Sequence, residues 1–154
     1  MNIRADGSLH FSRFTKADEG VYTVRASNGI GASAVAKTIR LALRSPASVR
    51  IEPADDLTLV SGSTAVLRCR VTGDWPLVIR WKDSNDQPIV EGDERLQLVS
   101  NSLADGQQQQ QQYDLQINRV VLQDGAIYTC EAANDFGADS ANVKLIVQGI
   151  SLYL

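Results

Sequence analysis

The chain is poor in the residues that perform chemistry. Its 154 residues include one histidine, two cysteines and one methionine, and they contain no phosphate-binding glycine loop and no nucleophile elbow. The 15 basic and 18 acidic side chains are spread along the chain and give a net charge of −3, which predicts neither a nucleic-acid partner nor an anionic membrane surface. We therefore expect no enzyme, no cofactor, no metal site and no small-molecule substrate.

Long apolar runs and secretion signals are also missing. The apolar end at residues 143–154 is far short of the roughly 20 residues that span a bilayer, and residues 1–7 lack the apolar core of a signal peptide. Asn-x-Ser/Thr sequons are absent as well. We expect no membrane insertion by this segment. Because the cysteines discussed next indicate an oxidising compartment, we interpret the chain as a fragment whose export signal and anchor lie elsewhere.

Four spaced residues are the most informative feature that is present. Trp81 follows Cys69 by twelve positions, and Tyr128 precedes Cys130 by two. This spacing is typical of an immunoglobulin sandwich, in which an inter-sheet disulfide packs on a tryptophan beside a tyrosine corner. A metal site would need more ligands, and a redox pair favours Cys-x-x-Cys. We predict a buried disulfide between Cys69 and Cys130 in an all-β, immunoglobulin-like (I-set) β-sandwich.

Alternating apolar residues around these four positions predict strands. Residues 63–71 are predicted as strand B, because every second side chain from Ala65 to Val71 is small or apolar. Strands C to G are predicted at 77–82, 95–100, 113–117, 127–133 and 138–147. The predicted core contains Trp81, Leu115, Ile117 and Tyr128, together with Tyr22 of the first 44 residues. The glutamine run at 107–112 is predicted as a solvated hairpin extension between strands D and E, and Gly137 is predicted to have a positive φ.

The first 44 residues repeat the second half of this pattern. Residues 9–11, 17–24 and 26–31 match 115–117, 122–130 and 132–137 in outline. We predict strands E, F and G of a preceding domain, with Tyr22 at its corner and Val24 where the second bridge cysteine would stand. The predicted divisions are a partial domain at 1–44, a linker at 45–48, a complete domain at 49–148 and a tail at 149–154. The partial domain is expected to expose an apolar face and to be marginal in isolation.

Polar pairs suggest structural roles and one possible contact surface. Arg95 and Asp124 are predicted to form a salt bridge that closes one end of the sandwich, and the hydroxyls of Tyr22 and Tyr128 to bond backbone at the E to F corner. Basic side chains on two strands could meet an acidic partner, although solvated surface residues explain them more simply. These basic residues are Arg68 and Arg70 on strand B, and Arg80 and Lys82 on strand C.

The loop sequences at 27–31, 73–81, 132–139 and 143–148 carry a more specific resemblance. In them the chain resembles the Down syndrome cell adhesion molecule (Dscam) family of neuronal immunoglobulin receptors. The resemblance implies a single-pass receptor with this segment on the extracellular side of the plasma membrane. It also implies homophilic cell-cell recognition in axon guidance and dendrite self-avoidance, with partners that are homophilic or other immunoglobulin-superfamily proteins. Homophilic contacts in that family belong to more N-terminal domains, so no binding residue is transferred.

Three departures from that family keep other interpretations open. Val24 replaces a cysteine, the glutamine run lengthens the connection between strands D and E, and residues 149–154 do not lead into a fibronectin domain. One alternative is a structural I-set module of a muscle or matrix protein, which in muscle would lie in the reducing cytosol. The other is the ectodomain of a receptor tyrosine kinase or pseudokinase.

Overall fold

The chain forms two compact units, Met1–Arg44 and Ser45–Leu154. The computed structural model describes residues 1–30, 35–92, 94–105 and 108–149, without the side chains at 102–105, 108 and 109. The predicted tail at 149–154 therefore lies outside the described residues from position 150 onward. Each unit is taken by itself below.

The first unit consists of two antiparallel strand pairs in its described residues. These pairs are β1 (Asn2–Ile3) with β2 (Leu9–His10), and β3 (Gly20–Ala26) with β4 (Val35–Leu41). A single 3₁₀ turn, Lys16–Asp18, precedes β3. Strands β2, β3 and β4 lie where the sequence predicted E, F and G, whereas β1 was not predicted. The apolar residues of the β3–β4 ribbon stay open to solvent, as Val24 shows with 56% of its surface exposed.

The second unit is a sandwich of two four-stranded sheets in its described part. Its strands are β5 (Ser48–Glu52), β6 (Leu57–Val60), β7 (Ala65–Thr72), β8 (Val78–Lys82), β9 (Leu96–Asp105), β10 (Gln108–Ile117), β11 (Ile127–Asn134) and β12 (Gly137–Gln148). One sheet has the order β5-β7-β10-β9 and the other β6-β12-β11-β8. The pairing of β6 with β12 is parallel, and the other pairings are antiparallel.

The core lies between these two sheets. Alternation in β7 places Ala65, Leu67, Cys69 and Val71 inside, each with no exposed surface, because successive side chains of a strand point to opposite faces. The neighbouring strand β10 contributes Leu115 and Ile117, and the facing sheet contributes Trp81 and Leu145; all four are also fully buried. Each such side chain stabilises the fold by about 1.5 to 3 kcal/mol relative to exposure. Trp81, Leu115 and Ile117, which the sequence predicted as core, belong to this buried set, whereas Tyr22 of the first unit, also predicted as core, is only partly buried.

The hairpin of β9 and β10 is longer than predicted. The sequence prediction ended strand D at residue 100, began strand E at 113 and left the glutamine run between them. In the structure β9 continues to Asp105 and β10 begins at Gln108. Residues 110–112 pair with both β7 and β9, and their side chains are half-buried. The run therefore extends the hairpin as predicted, but residues 110–112 do so as paired strand with partly buried side chains and not as a solvated connection, because the backbone finds partners on two sides. Gln107 lies outside the described residues.

The expectation of a positive φ at Gly137 is also wrong. Gly62 and Gly73 have positive φ in this unit, but Gly137 does not. A Cβ atom at Gly137 would instead lie 2.9 Å from the Pro46 Cβ atom. Glycine is needed there because proline packs against the backbone, which no local turn rule reveals.

Candidate functional site

The disulfide of the second unit joins its two sheets. Cys69 on β7 and Cys130 on β11 are bonded, with their Cα atoms 6.4 Å apart and neither residue exposed. Trp81 pairs directly with Cys130 across the strands. Its indole Nε1 donates to the Tyr113 carbonyl at 2.8 Å, and Tyr113 belongs to the other sheet. The disulfide and the hydrogen bond from Trp81 to Tyr113 thus form two neighbouring links between the sheets.

Tyr128 forms the corner beside this link. Its hydroxyl donates to the Asp124 carbonyl at 2.9 Å, while its ring packs in the core with 7% of its surface exposed. Burial, followed by the nearby Asp124 charge, raises the pKa of Tyr128 to about 12. The Tyr128 hydroxyl therefore stays protonated at neutral pH and hydrogen-bonded to the backbone, which is a structural role.

Asp124 also anchors the end of the sandwich through its carboxylate. Arg95 approaches it with two guanidinium nitrogens, Nη1 to Oδ2 at 3.1 Å and Nη2 to Oδ1 at 3.3 Å. The Val121 backbone N–H donates to the same carboxylate at 2.7 Å. The side chain of Asp124 is only 14% exposed, so this two-pronged pair is shielded from water more than an ordinary surface pair. Sequence analysis named both partners, but not the backbone donor.

The first unit contains a second corner of the same design. The Tyr22 hydroxyl donates to the Asp18 carbonyl at 2.6 Å. The Thr15 hydroxyl and backbone N–H bind the Asp18 carboxylate and lower the pKa of that group. Phe11 packs edge-on against Tyr22 with ring centroids 5.7 Å apart. Three hydrogen bonds and one aromatic contact thus hold a corner that no disulfide supports.

Two of the four basic side chains that could have met an acidic partner are engaged within the unit. Lys82 Nζ lies 2.7 Å from a Glu131 oxygen and 3.0 Å from an Asp86 oxygen, and the Glu131 hydrogen bond comes first among the causes that raise the Lys82 pKa. Arg70 Nη2 donates to Glu52 at 3.2 Å. These internal partners weaken the case for an acidic ligand.

A shallow hollow on the outer face of β8, β11 and β12 is the best candidate contact surface. We call it the C-F-G face. An apolar row crosses it, since Ala133 pairs with Val78 on one side and Ala138 on the other. A charged row runs beside it, in which Glu131 lies opposite Arg80 in the strand register. Val78 is 52% exposed. The hollow forms because the side chains of this row are small. Sequence analysis missed the surface, since isolated alanines give no recognisable sequence pattern.

The described residues contain no group of three His, Cys, Asp or Glu placed to hold a metal ion. Among them there is also no helix with the length and apolar character that a bilayer crossing requires.

Comparison with known proteins identifies relatives along nearly the whole chain. Residues 48–147 match the family model of the Immunoglobulin I-set domain. Cell adhesion molecule Dscam1 of Drosophila melanogaster is 33% identical over 150 residues, covering 97% of this chain and 7% of Dscam1. Cell adhesion molecule DSCAM of Homo sapiens is 27% identical over 148 residues, covering 96% of this chain and 7% of the relative. The Dscam resemblance is confirmed, and the chain spans about 7% of these relatives' length.

Solved structures agree on the architecture. The crystal structure of Dpr2 Ig1-Ig2 in complex with DIP-Theta Ig1-Ig3 matches with a TM-score of 0.59 and 27% identity, over 86% of this chain and 42% of that chain. A crystal structure of titin domains matches with a TM-score of 0.59 and 26% identity, over 87% of this chain and 44% of that chain. The predicted immunoglobulin-like sandwich is confirmed.

Proposed function

Because the chain belongs to the immunoglobulin I-set domain family, we propose that it is an extracellular segment of a cell-adhesion receptor and acts by binding another protein, not by catalysis. The observation that carries this proposal is the similarity to Dscam1 over 150 residues. The I-set match begins only at residue 48, so the likeness to an adhesion molecule extends through the first unit as well.

The disulfide supports an extracellular location. Disulfides persist in oxidising compartments and are rare in the cytosol of mesophiles. The bond between Cys69 and Cys130 is fully buried and lies in the centre of the core. We place the segment on the outer side of the plasma membrane, in a receptor that crosses the membrane once.

The proposed partner is an immunoglobulin-superfamily surface protein, and in the homophilic case a second copy of the receptor. The Dpr2 and DIP-Theta structure is a complex between immunoglobulin-domain proteins, which supports this class of partner. The C-F-G face suits a two-fold contact because its apolar row is open to a second copy, with Val78 52% exposed. Homophilic recognition in axon guidance and dendrite self-avoidance is the role we propose for the receptor.

Bead aggregation tests the homophilic proposal with matched variants. Beads carrying this chain are compared with beads carrying Ala133→Glu, which places a charge in the apolar row, and Arg68→Glu, which changes an exposed residue of the other sheet. We expect aggregation of the parent and of Arg68→Glu, but not of Ala133→Glu. Binding to other immunoglobulin-superfamily ectodomains without self-aggregation would leave the adhesion role and refute the homophilic one. Failure of the whole receptor ectodomain to bind any such protein would refute both.

We also propose that residues 1–44 are the E, F and G strands of an immunoglobulin domain, 45–48 a linker and 49–148 a complete domain. The Tyr22 corner supports the first assignment. Its hydroxyl donates to the carbonyl of an aspartate four residues earlier, as the Tyr128 hydroxyl does. Extending the chain at its N-terminus with the flanking receptor sequence should bury Ile39, which is 49% exposed in this chain. Unchanged exposure of Ile39 in the longer protein would contradict the assignment.

A structural module is the second candidate function, and the match to titin domains favours it. The two candidates differ in the redox state of the cysteines. A cytosolic muscle module would carry free thiols at Cys69 and Cys130 in its native tissue, whereas a surface receptor would carry the disulfide. Non-reducing mass spectrometry of protein isolated from tissue distinguishes them.

A further inference from the structure

The turn after β3 brings together the parts of a reaction that needs no enzyme. Asn28-Gly29 is the one Asn-Gly pair in the sequence, and both residues are exposed. We infer that Asn28 is a self-modification site, at which the side-chain amide is lost and an aspartyl or isoaspartyl residue is formed. The inference rests on the geometry of this turn and does not depend on the adhesion role.

The attacking atom is the backbone nitrogen of Gly29. Gly29 is exposed, and a Cβ atom built on it would meet nothing within 4 Å, so no neighbouring side chain crowds this residue. Its N–H donates to the Ser27 hydroxyl oxygen at 3.3 Å, which places an acceptor beside the proton that must leave. Gly29 has a φ of +73°, a conformation that glycine adopts without strain.

The attacked atom is the side-chain carbonyl carbon of Asn28. Its oxygen Oδ1 accepts the Ile30 backbone N–H at 3.0 Å. Negative charge develops on Oδ1 when the carbonyl carbon becomes tetrahedral, and a donor already aimed at that oxygen stabilises it. Folding therefore sets both the nucleophile and the oxyanion donor in one turn.

The chemistry is balanced without a co-reactant other than water. The Gly29 nitrogen forms a bond to the Asn28 Cγ atom and loses its proton, the Cγ–Nδ2 bond breaks, and the amide group leaves as ammonia. The resulting five-membered succinimide is opened by one water molecule. Attack of water on one carbonyl yields aspartate, and attack on the other yields isoaspartate, in which the main chain runs through the former side chain.

Asn134 in the second unit occupies a comparable turn and is protected. Its Nδ2 donates to the Ser45 and Asp74 carbonyls, both at 2.9 Å, so the leaving group is held by two backbone acceptors. Its Oδ1 also accepts backbone N–H groups, those of Phe136 and Gly137 at 3.0 and 3.1 Å, so the two asparagines differ in the bonds to the leaving group and not in having an oxyanion donor. The next residue is Asp135, whose side chain crowds the attacking nitrogen. The same molecule thus contains a reactive and a clamped asparagine.

Modification changes the connection between β3 and β4. Either product adds a negative charge at residue 28, and isoaspartate also lengthens the main chain by one carbon atom. The pairing of β3 with β4 ends at Ala26 opposite Val35, two residues before Asn28. We expect the modified chain to lose protection in the β3–β4 ribbon while the second unit is unchanged.

Peptide mapping by mass spectrometry after incubation of the whole chain at mildly alkaline pH tests the inference. Isoaspartate is assigned by enzymatic methylation, and the variant Asn28→Gln serves as the control because its longer side chain closes a ring far more slowly. We expect Asn28 to convert at least about tenfold faster than Asn134, roughly the effect of one hydrogen bond that holds the Asn134 leaving group. In the reduced, urea-denatured chain the two conversion rates should lie closer together, because the hydrogen bonds from Asn134 Nδ2 are lost.

Two results would overturn the inference. One is an intact Asn28 under conditions in which Asn134 has converted. The other is an equal ratio of the two rates in the folded and the denatured chain, which would show that sequence alone sets them. The inference is supported if the parent chain forms isoaspartate at residue 28 and the Asn28→Gln variant lacks the fast conversion.

Discussion

The two units contain the same corner in two different settings. Tyr22 and Tyr128 each donate a hydroxyl hydrogen bond to the carbonyl of an aspartate four residues earlier, at 2.6 and 2.9 Å. Opposite Tyr22 lies Ile39, with 49% of its surface exposed, and opposite Tyr128 lies Val143, with 3% exposed. A short sequence therefore suffices to build the corner. Burying it requires an opposing sheet, which only the second unit possesses among the described residues.

The largest predicted effect concerns the disulfide. It closes a loop with a sequence separation of 61, and its loss should cost about 4 kcal/mol in the chain-entropy model. The variant with Cys69→Ala and Cys130→Ala is unfolded in denaturant, and tryptophan fluorescence is recorded. Both tryptophans, Trp75 and Trp81, belong to the second unit, so this signal reports that unit alone.

The first unit is the internal control for this prediction, because neither cysteine lies in it. NMR signals of the Tyr22 ring should keep their positions in the cysteine-free variant. A free energy of unfolding within about 1 kcal/mol of the parent would contradict the assigned role of the disulfide.

A second pair of variants compares the residues opposite the two tyrosines. Val143→Ala removes buried methyl groups and should destabilise the second unit by about 2 kcal/mol. Ile39→Ala acts at a half-exposed position and should change stability by less than about 0.5 kcal/mol. Chemical denaturation measures the first variant, and NMR of the β3–β4 ribbon follows the second. Equal losses of stability in the two variants would mean that the exposed face of the β3–β4 ribbon is buried in solution.

A third prediction uses the pKa of Tyr128. Because the folded pKa of about 12 lies above the ordinary value of 10.0, the stabilising contribution is complete below pH 10 and is lost as the pH rises through 12. The loss should be at most about 2 kcal/mol, since the hydroxyl lies at the edge of the core. Phenolate absorbance should contain a component near pH 12 that Tyr128→Phe removes. A titration unaltered by that substitution would refute the assignment.

Sequence patterns predicted the centre of the second unit better than its margins. Cys69, Trp81 and Cys130 were informative because few folds need those residue types at that spacing. The extension of β9 and β10 was missed, since pairing with neighbours, not residue preference, decides where a glutamine strand ends. The packing of Gly137 on Pro46 and the apolar row of the C-F-G face depend on residues distant in sequence. Contacts of this kind leave no local pattern.

Hydrogen exchange of the native chain tests the central claim most directly. It compares backbone amides of β11 and β12 around Tyr128 with amides of β3 and β4 around Tyr22, in one sample at neutral pH. The account predicts exchange from β11 and β12 only through global unfolding of the second unit, and much faster exchange from β3 and β4. Equal protection of the two ribbons would contradict the claim that an opposing sheet, and not the corner itself, makes this core stable.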